Sequence, residues 1–422
     1  MSEIAVAGGG LAGLVAAHHL AESGHEVTLY EARDELGGRV RTREVDGFTC
    51  DRGFQVLFEA YPAVQRELDL DALDLRRFAP GGVICRPGQR SMLSDPLRDP
   101  RSLVESAMNR EVTLADKLRT LKLRAHLTRG DWPEFGIPDR SIRALLREEG
   151  FSTGFIDGFI APLYGGITLD RSLSTSAHVF EYTFRAMSLG SIAVPAEGMA
   201  AIPAQLATRA RDAGVDVRTG EPVETLDSER GAVTLGTEHG TAEPDAVVVA
   251  TDPQSARELT VVDAIPAEGR GVVTQYYRLD APELAAGTRI MLNAESAGPN
   301  TVAQLSAVAP EYAAADEVLL AASFVEDDDL DREDEALATR TKTALEDWYP
   351  ERAFGALELL ATDRIPFAQF DQPPGAHAVL PDPHDPEGPV YLAGDYTRWS
   401  SIQGALASGA RAAEAVDADR SA

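Results

Sequence analysis

The sequence predicts an α/β protein: a discontinuous Rossmann-like dinucleotide-binding domain joined to a mixed α+β domain. Three observations predict it. An apolar strand, Ile4-Ala5-Val6-Ala7, runs into Gly8-Gly9-Gly10-Leu11-Ala12-Gly13 and a helical stretch. A second strand–turn–helix block, Val390 to Asp395 followed by Ser401 to about Val416, closes the chain. The 422 residues, 44% of them hydrophobic, are more than one simple core accommodates.

The first element is a mould for a dinucleotide. Gly8 allows the tight turn, Gly10 lets the backbone approach a pyrophosphate, and Gly13 lets the helix Leu11–Glu22 pack on the strand. The helix N-terminus presents free N–H groups and a positive dipole end to phosphate. A glycine-rich turn alone occurs in many chains, but here Glu31 stands at the tip of the next strand, Val27–Tyr30, placed to accept hydrogen bonds from a ribose. A carboxylate there repels a 2′-phosphate, which leaves NAD and FAD and disfavours NADP. Gly37-Gly38-Arg39 follows and adds a second pyrophosphate contact set, with Arg39 supplying charge-assisted hydrogen bonds.

Further along, Ile202 to Ala213 reads as a helix, Val215–Arg218 as a strand, and Ala246–Thr251 as a buried strand by its β-branched run. The dinucleotide domain is expected to comprise residues 1–75, 190–262 and 380–422. A helix-rich insert (76–189) and a strand-rich insert (263–379) are expected to form the substrate domain. The run Glu326 to Glu335 lacks the glycine and spacing of a calcium loop and reads as a solvated acidic start to a helix ending near Tyr349.

Composition narrows the partners. Asp plus Glu number 68 against 39 Lys plus Arg, a net charge of −29, and Lys117, Lys122 and Lys342 are the only lysines. That balance suits a salt-rich cytoplasm, where screening removes most self-repulsion, and it disfavours nucleic acid as a partner. Cys50 and Cys85 share no metal-site or disulfide-framework spacing. Met1-Ser2-Glu3 carries no basic residue before the first strand, so no signal peptide is expected, and the apolar stretch Ile4–Ala17 is too short to span a bilayer. A cytoplasmic location is expected, with membrane contact at most peripheral and no basic amphipathic face to support it. No metal site is expected.

Gly8, Gly10, Gly13, Glu31, the Gly37-Gly38-Arg39 run with Thr42, Gly394-Asp395 and Ser401 through Gly409 together resemble the FAD-dependent amine oxidase superfamily, which includes phytoene desaturase-like and protoporphyrinogen oxidase-like flavoproteins. The resemblance implies non-covalent FAD, held by Gly8, Gly10, Leu11, Ala12, Gly13, Glu31, Ala32, Arg33, Gly38, Arg39, Gly53, Val223, Gly394, Asp395, Ile402 and Gln403. Asp395 would bind the ribityl or pyrophosphate region, and the helix after it would point its N-terminus at the flavin pyrimidine edge, stabilising negative charge there. Val194 to Pro203 looks like the return from substrate domain to flavin domain, and Val223 like the position whose backbone meets adenine. Arg52 to Val56 takes the place that relatives bring to the isoalloxazine.

A flavin dehydrogenase asks its protein mainly for position and dryness. No catalytic residue is assigned; Gln55, Tyr164 and Trp399 are the pocket candidates, each also readable as an ordinary packing residue. The amine oxidases often hold a water near the flavin with a lysine, and none of the three lysines takes that place; Lys117 and Lys122 read as solvated. The expected activity is hydride removal from a carbon of a small, lipophilic or isoprenoid-like substrate, by dehydrogenation or desaturation, with oxygen or a quinone as acceptor. The alternatives are amine oxidation by oxygen and an FAD-free escort protein of the same fold.

Overall fold

The computed structural model describes residues 1–94, 112–229, 231–280, 283–295 and 297–421. At its centre lies a five-stranded sheet in the order Asp216–Thr219, Glu26–Glu31, Glu3–Ala7, Ala246–Val249, Val390–Leu392, and every pairing is parallel. The middle strands are buried on both faces, which explains their uninterrupted apolar runs. Three distant stretches of chain therefore meet in one sheet.

Helices Leu11–Glu22 and Ile402–Ser421 pack on that sheet and on each other. Their contact is close enough that a Cβ on Gly409 would lie 2.2 Å from the Ala12 carbonyl oxygen. This glycine is therefore a packing requirement, and it locks the C-terminal helix to the first one.

A second sheet of seven strands runs in the order Leu357–Phe370, Gly269–Leu279, Val318–Phe324, Thr301–Gln304, Ile290–Asn293, Gly82–Arg86, Gln89–Leu93. The last two strands come from the segment expected to be helix-rich. The apolar run Gly82–Cys85 pairs in parallel with Ile290–Asn293, and that burial places it in the sheet. Among the described residues the rest of the segment carries four helical stretches: Leu114–Leu127, Ile142–Glu148, Thr153 to Thr168 with one π turn, and Ala177–Leu189.

The acidic run also differs from expectation. Asp327–Asp331 forms a 3₁₀ turn and the helix begins only at Asp334, ending at Trp348. Asp329 is not solvated: it is buried and paired with Arg332 and Arg340. Its pairing with cations explains how a carboxylate can sit there.

Candidate flavin site

The site is built first from backbone. The strand ends at Ala7, and Gly8 turns at φ +110° while its N–H donates to the Tyr30 carbonyl at 2.7 Å. A Cβ on Gly13 would sit 1.9 Å from the Gly8 oxygen, so only glycine lets the helix start this close to the strand. Gly10 provides no side-chain cap, leaving the first N–H groups of the helix available to an anion.

Glu31, at the tip of its strand, is buried and engages both ends of this turn. One carboxylate oxygen accepts from the Gly9 N–H at 2.7 Å, the other from the Arg33 N–H at 3.0 Å. Each oxygen keeps a lone pair for a ribose hydroxyl. Ala32 lies between them in the chain. The N–H groups of Gly220 and Glu221 donate to the carbonyls of Arg33 and Glu31, bringing the segment that contains Val223 to this end.

The second glycine stretch closes over the first. Gly37 N–H donates to the Gly9 carbonyl at 2.8 Å, and a Cβ on Gly38 would come within 3.2 Å of the Gly10 Cα. Arg33 donates to the Gly38 carbonyl at 3.1 Å. Near it stand Arg41, which sequence reasoning missed, and Arg52, which the sequence placed towards the isoalloxazine rather than in this group of cations. Burial, and then the neighbouring Arg52 and Arg33 guanidiniums, hold Arg41 below the usual guanidinium range. The buried Arg41 Nε has no hydrogen-bond partner. In a chain of net charge −29, mutually repelling guanidiniums beside a bare glycine turn are what a diphosphate would satisfy. The residues present thus fit a dinucleotide.

Arg39 joins the two ends of the chain. Its Nη2 meets Asp395 Oδ1 at 2.6 Å, its Nη1 donates to the Ala368 carbonyl at 2.9 Å, and its own carbonyl accepts from the Gln55 amide at 3.0 Å. Asp395 Oδ2 accepts from Ser400 Oγ at 2.8 Å, and Gly394 N–H donates to Ser408 Oγ at 2.9 Å. Gly53 turns at φ +78° and its N–H donates to Asp363 at 3.2 Å. Beneath it, the buried Asp51 accepts from Thr42 Oγ1 at 2.6 Å and Met199 N–H at 2.8 Å. Burial pushes the Asp51 carboxyl up to about 6 despite these bonds.

Leu11, Ala12, Ile402 and Gln403 are brought to the same region as the first residues of the two packed helices. The Gln403 side chain, however, is buried and its Oε1 accepts from the Ala63 N–H at 2.8 Å, so this oxygen is engaged in packing the two segments together. Trp399 is buried within a ring cluster, 5.2 Å from Tyr182, 5.5 Å from Phe135 and 5.8 Å from Tyr61.

Tyr164 is fully buried, with its hydroxyl near Thr183 Oγ1 and the Phe180 carbonyl, and forms part of a cavity wall. This cavity of about 300 Å³ is lined mainly by apolar groups including Phe78, Phe155, Phe159, Leu163, Phe184 and Met187. Phe78, on the cavity wall, sits edge-to-face with Phe54, ring centroids 6.1 Å apart, so one side chain separates the cavity from the Gly53–Gln55 segment. Lys117 also lines the cavity, contrary to its expected solvated position; Lys122 is 79% exposed, as expected. A groove of about 620 Å³ beside Leu226, Leu259 and Val390 touches the start of the strand Val390–Leu392, the end opposite to where open α/β sheets bind ligands.

This fold and this cradle define a flavin-dependent oxidoreductase. The chain belongs to the flavin-containing amine oxidoreductase family, whose sequence model matches residues 11–417. It is similar to a 15-cis-phytoene desaturase of Synechococcus elongatus, 26% identical over 98% of this chain and 95% of that protein. A phytoene dehydrogenase of Streptomyces griseus is 30% identical over 61% of this chain; there the match spans only about half of the relative, 56% of its length. Among solved structures, cyclohexylamine oxidase from Brevibacterium oxydans superposes with a TM-score of 0.70 at 18% identity, covering 100% of both chains, and so shares the fold. Among the described residues, no helix is long and apolar enough to cross a membrane.

Proposed function

We propose that the protein binds FAD non-covalently and removes a hydride from a carbon of a lipophilic substrate, by dehydrogenation or desaturation. The observation that supports this reading is the apolar, aromatic-lined cavity whose wall residue Phe78 packs on Phe54 of the segment Gly53–Gln55. Such a lining suits an extended hydrocarbon and offers little to orient a small charged amine. The similarity to phytoene desaturase over nearly the whole chain supports the same substrate class.

In this reading Glu31 holds the adenosine ribose, the Gly8–Gly13 turn with Gly38, Arg33 and Arg41 holds the diphosphate, and Arg39 with Asp395 fixes the flavin end. The bound flavin supplies the hydride acceptor. The chain's own residues hold it in place, exclude water with the Phe54–Phe78 pair, and present the substrate carbon from the cavity. Cys50 is buried and burial pushes its thiol up to about 12, which supports a cofactor without a thioether link. Both cysteines are buried thiols outside any disulfide, which suits the cytoplasm. The electron acceptor is oxygen or a quinone.

Oxidation of an amine by oxygen is the second reading, favoured by the cyclohexylamine oxidase fold. Anaerobic bleaching of the bound flavin separates the two. Polyenes should bleach it while polyamines and aromatic amines leave it yellow; bleaching by amines alone would transfer the assignment to amine oxidation. A purified protein that stays colourless after FAD addition would favour an escort role.

A further inference from the structure

Tyr61, Tyr164 and Tyr182 are 3%, 0% and 7% exposed, and beyond burial itself both neighbours oppose ionisation of Tyr61. Their hydroxyls are satisfied unequally. The Tyr164 hydroxyl donates to the Phe180 carbonyl at 3.3 Å and accepts from Thr183 Oγ1 at 3.0 Å. The hydroxyls of Tyr61 and Tyr182 have no hydrogen-bond partner among the described residues. Neither is among the polar atoms sealed away without a partner, so each borders open space. A buried phenol left unpaired costs free energy, and a ligand atom that pairs it recovers that cost.

The two tyrosines stand beside the Asp395 turn. Tyr61 precedes the helix Pro62–Glu67, whose Ala63 N–H donates to Gln403 in the first turn of the C-terminal helix. Trp399, on the turn after Asp395, meets Tyr61 edge-to-face with centroids 5.8 Å apart and Tyr182 at 5.2 Å. The Tyr61 and Tyr182 rings lie 5.9 Å apart. Tyr182 belongs to the helix Ala177–Leu189, whose Phe184 and Met187 line the apolar cavity. The two rings thus link a helix of the cavity wall to the turn that carries Asp395.

Charge selects the atom that suits the two hydroxyls. Burial pushes the Tyr182 phenol up to about 12, against the pull of the Arg398 and Arg185 guanidiniums. Burial also holds Tyr61 well above the ordinary phenol range. Both stay protonated at neutral pH and donate. Arg185 is held by the neutral carbonyls of Leu127 and Gly130, so its charge is not cancelled. Two guanidiniums bearing on the site repel an ammonium and favour the lone pairs of an oxygen. A bare hydrocarbon would leave both hydroxyls unpaired.

We propose that the Tyr61 and Tyr182 hydroxyls donate to an oxygen atom of the substrate, which makes that substrate an oxygenated lipophile, an isoprenoid-like alcohol or ketone, rather than a bare hydrocarbon. The oxygen anchors one end of the molecule beside Trp399. A site built to pair an oxygen rejects the analogue that lacks it, because its buried donors are then left without acceptors. This assignment rests on the reading that the substrate is lipophilic.

Perturbation of the flavin absorbance reads binding without turnover. The full chain, loaded with FAD in high salt, is titrated with geranylgeraniol and with the same chain bearing hydrogen in place of the hydroxyl. The native protein should bind the alcohol at least about tenfold more tightly. Tyr61→Phe/Tyr182→Phe keeps both rings, and in it the preference should fall to within about twofold. FAD affinity and binding of the hydrocarbon should stay as in the native protein. Each single variant should lose part of the preference, and unchanged circular dichroism shows which variants are folded. Equal binding of both compounds by the native protein overturns the proposal and leaves the lipophilic reading standing, whereas binding of neither overturns both. A folded double variant that keeps the full preference also overturns it. So does one whose FAD affinity falls, which would give the hydroxyls to the cofactor.

Discussion

Arg39 and Asp395, 356 residues apart in sequence, are joined at 2.6 Å, and the carboxylate is buried while the guanidinium is about one-third exposed. The pair ties the second glycine stretch to the turn before the C-terminal helix. Each partner has other contacts, to the Ala368 carbonyl and to Ser400 Oγ, so the geometry is held from both sides. In the proposed reading, this one ionic contact links the diphosphate end of the cradle to the flavin end.

Removing the pair should cost cofactor before it costs fold. Arg39→Ala is expected to weaken FAD binding by about tenfold to a hundredfold, the range for a lost hydrogen bond to a charged group. Asp395→Asn should act in the same direction, and the double variant should lose less than the sum because the two share one interaction. Flavin fluorescence titration of refolded apoprotein measures all three. Unchanged affinity in both single variants would separate this pair from the cofactor.

Asp51 makes stability depend on pH. Its carboxyl titrates at about 6 when folded, above the ordinary carboxylate value, because burial disfavours the charged form. The folded state therefore binds the proton more tightly, and stability attributable to this group rises as pH falls from above 6 towards the unfolded value of 3.8. The span amounts to roughly 3 kcal/mol. Asn keeps the acceptor that Thr42 and Met199 use, so Asp51→Asn should flatten this dependence in denaturant melts at several pH values.

Gly409→Ala tests the helix contact that seats the C-terminal segment. The added methyl would meet the Ala12 carbonyl oxygen at 2.2 Å, and backbone cannot yield as a flexible side chain can. A loss of about 1–3 kcal/mol in unfolding free energy is expected, the usual cost of overpacking. Flavin content should fall with it, since the two helices begin at the cradle.

The charge of −29 predicts a salt requirement. Lowering ionic strength lengthens the range of repulsion from about 3 Å in molar salt to about 30 Å at 0.01 M. The thermal midpoint should therefore fall steeply on dialysis into dilute buffer and recover on adding salt. A midpoint indifferent to salt would show that the acidity has another origin.

Much of this architecture was legible in local sequence. Gly8, Gly13 and Glu31 announce themselves because a tight turn, a close helix start and a strand-tip carboxylate each demand a particular residue type. Arg41 did not, nor did the grouping of Arg52 with it, because an arginine looks alike on a solvated face and in a cluster that only the fold assembles. The strands Gly82–Arg86 and Gln89–Leu93 join a sheet whose other members lie some 200 residues away, beyond the reach of any periodicity. Lys117 reads as solvated because nothing local to the helix Leu114–Leu127 marks the side that becomes a cavity wall. Gln403, next to the glycine of a recognisable motif, spends its side chain on the Ala63 N–H, a choice set by packing.

The most direct measurement is the fate of the flavin when the protein, purified in high salt, is denatured. The account predicts a yellow protein that releases FAD stoichiometrically into the supernatant, with an Arg39→Ala/Asp395→Ala variant colourless yet folded. A native protein that holds no FAD even after addition, or a flavin that stays with the precipitated chain, would contradict it.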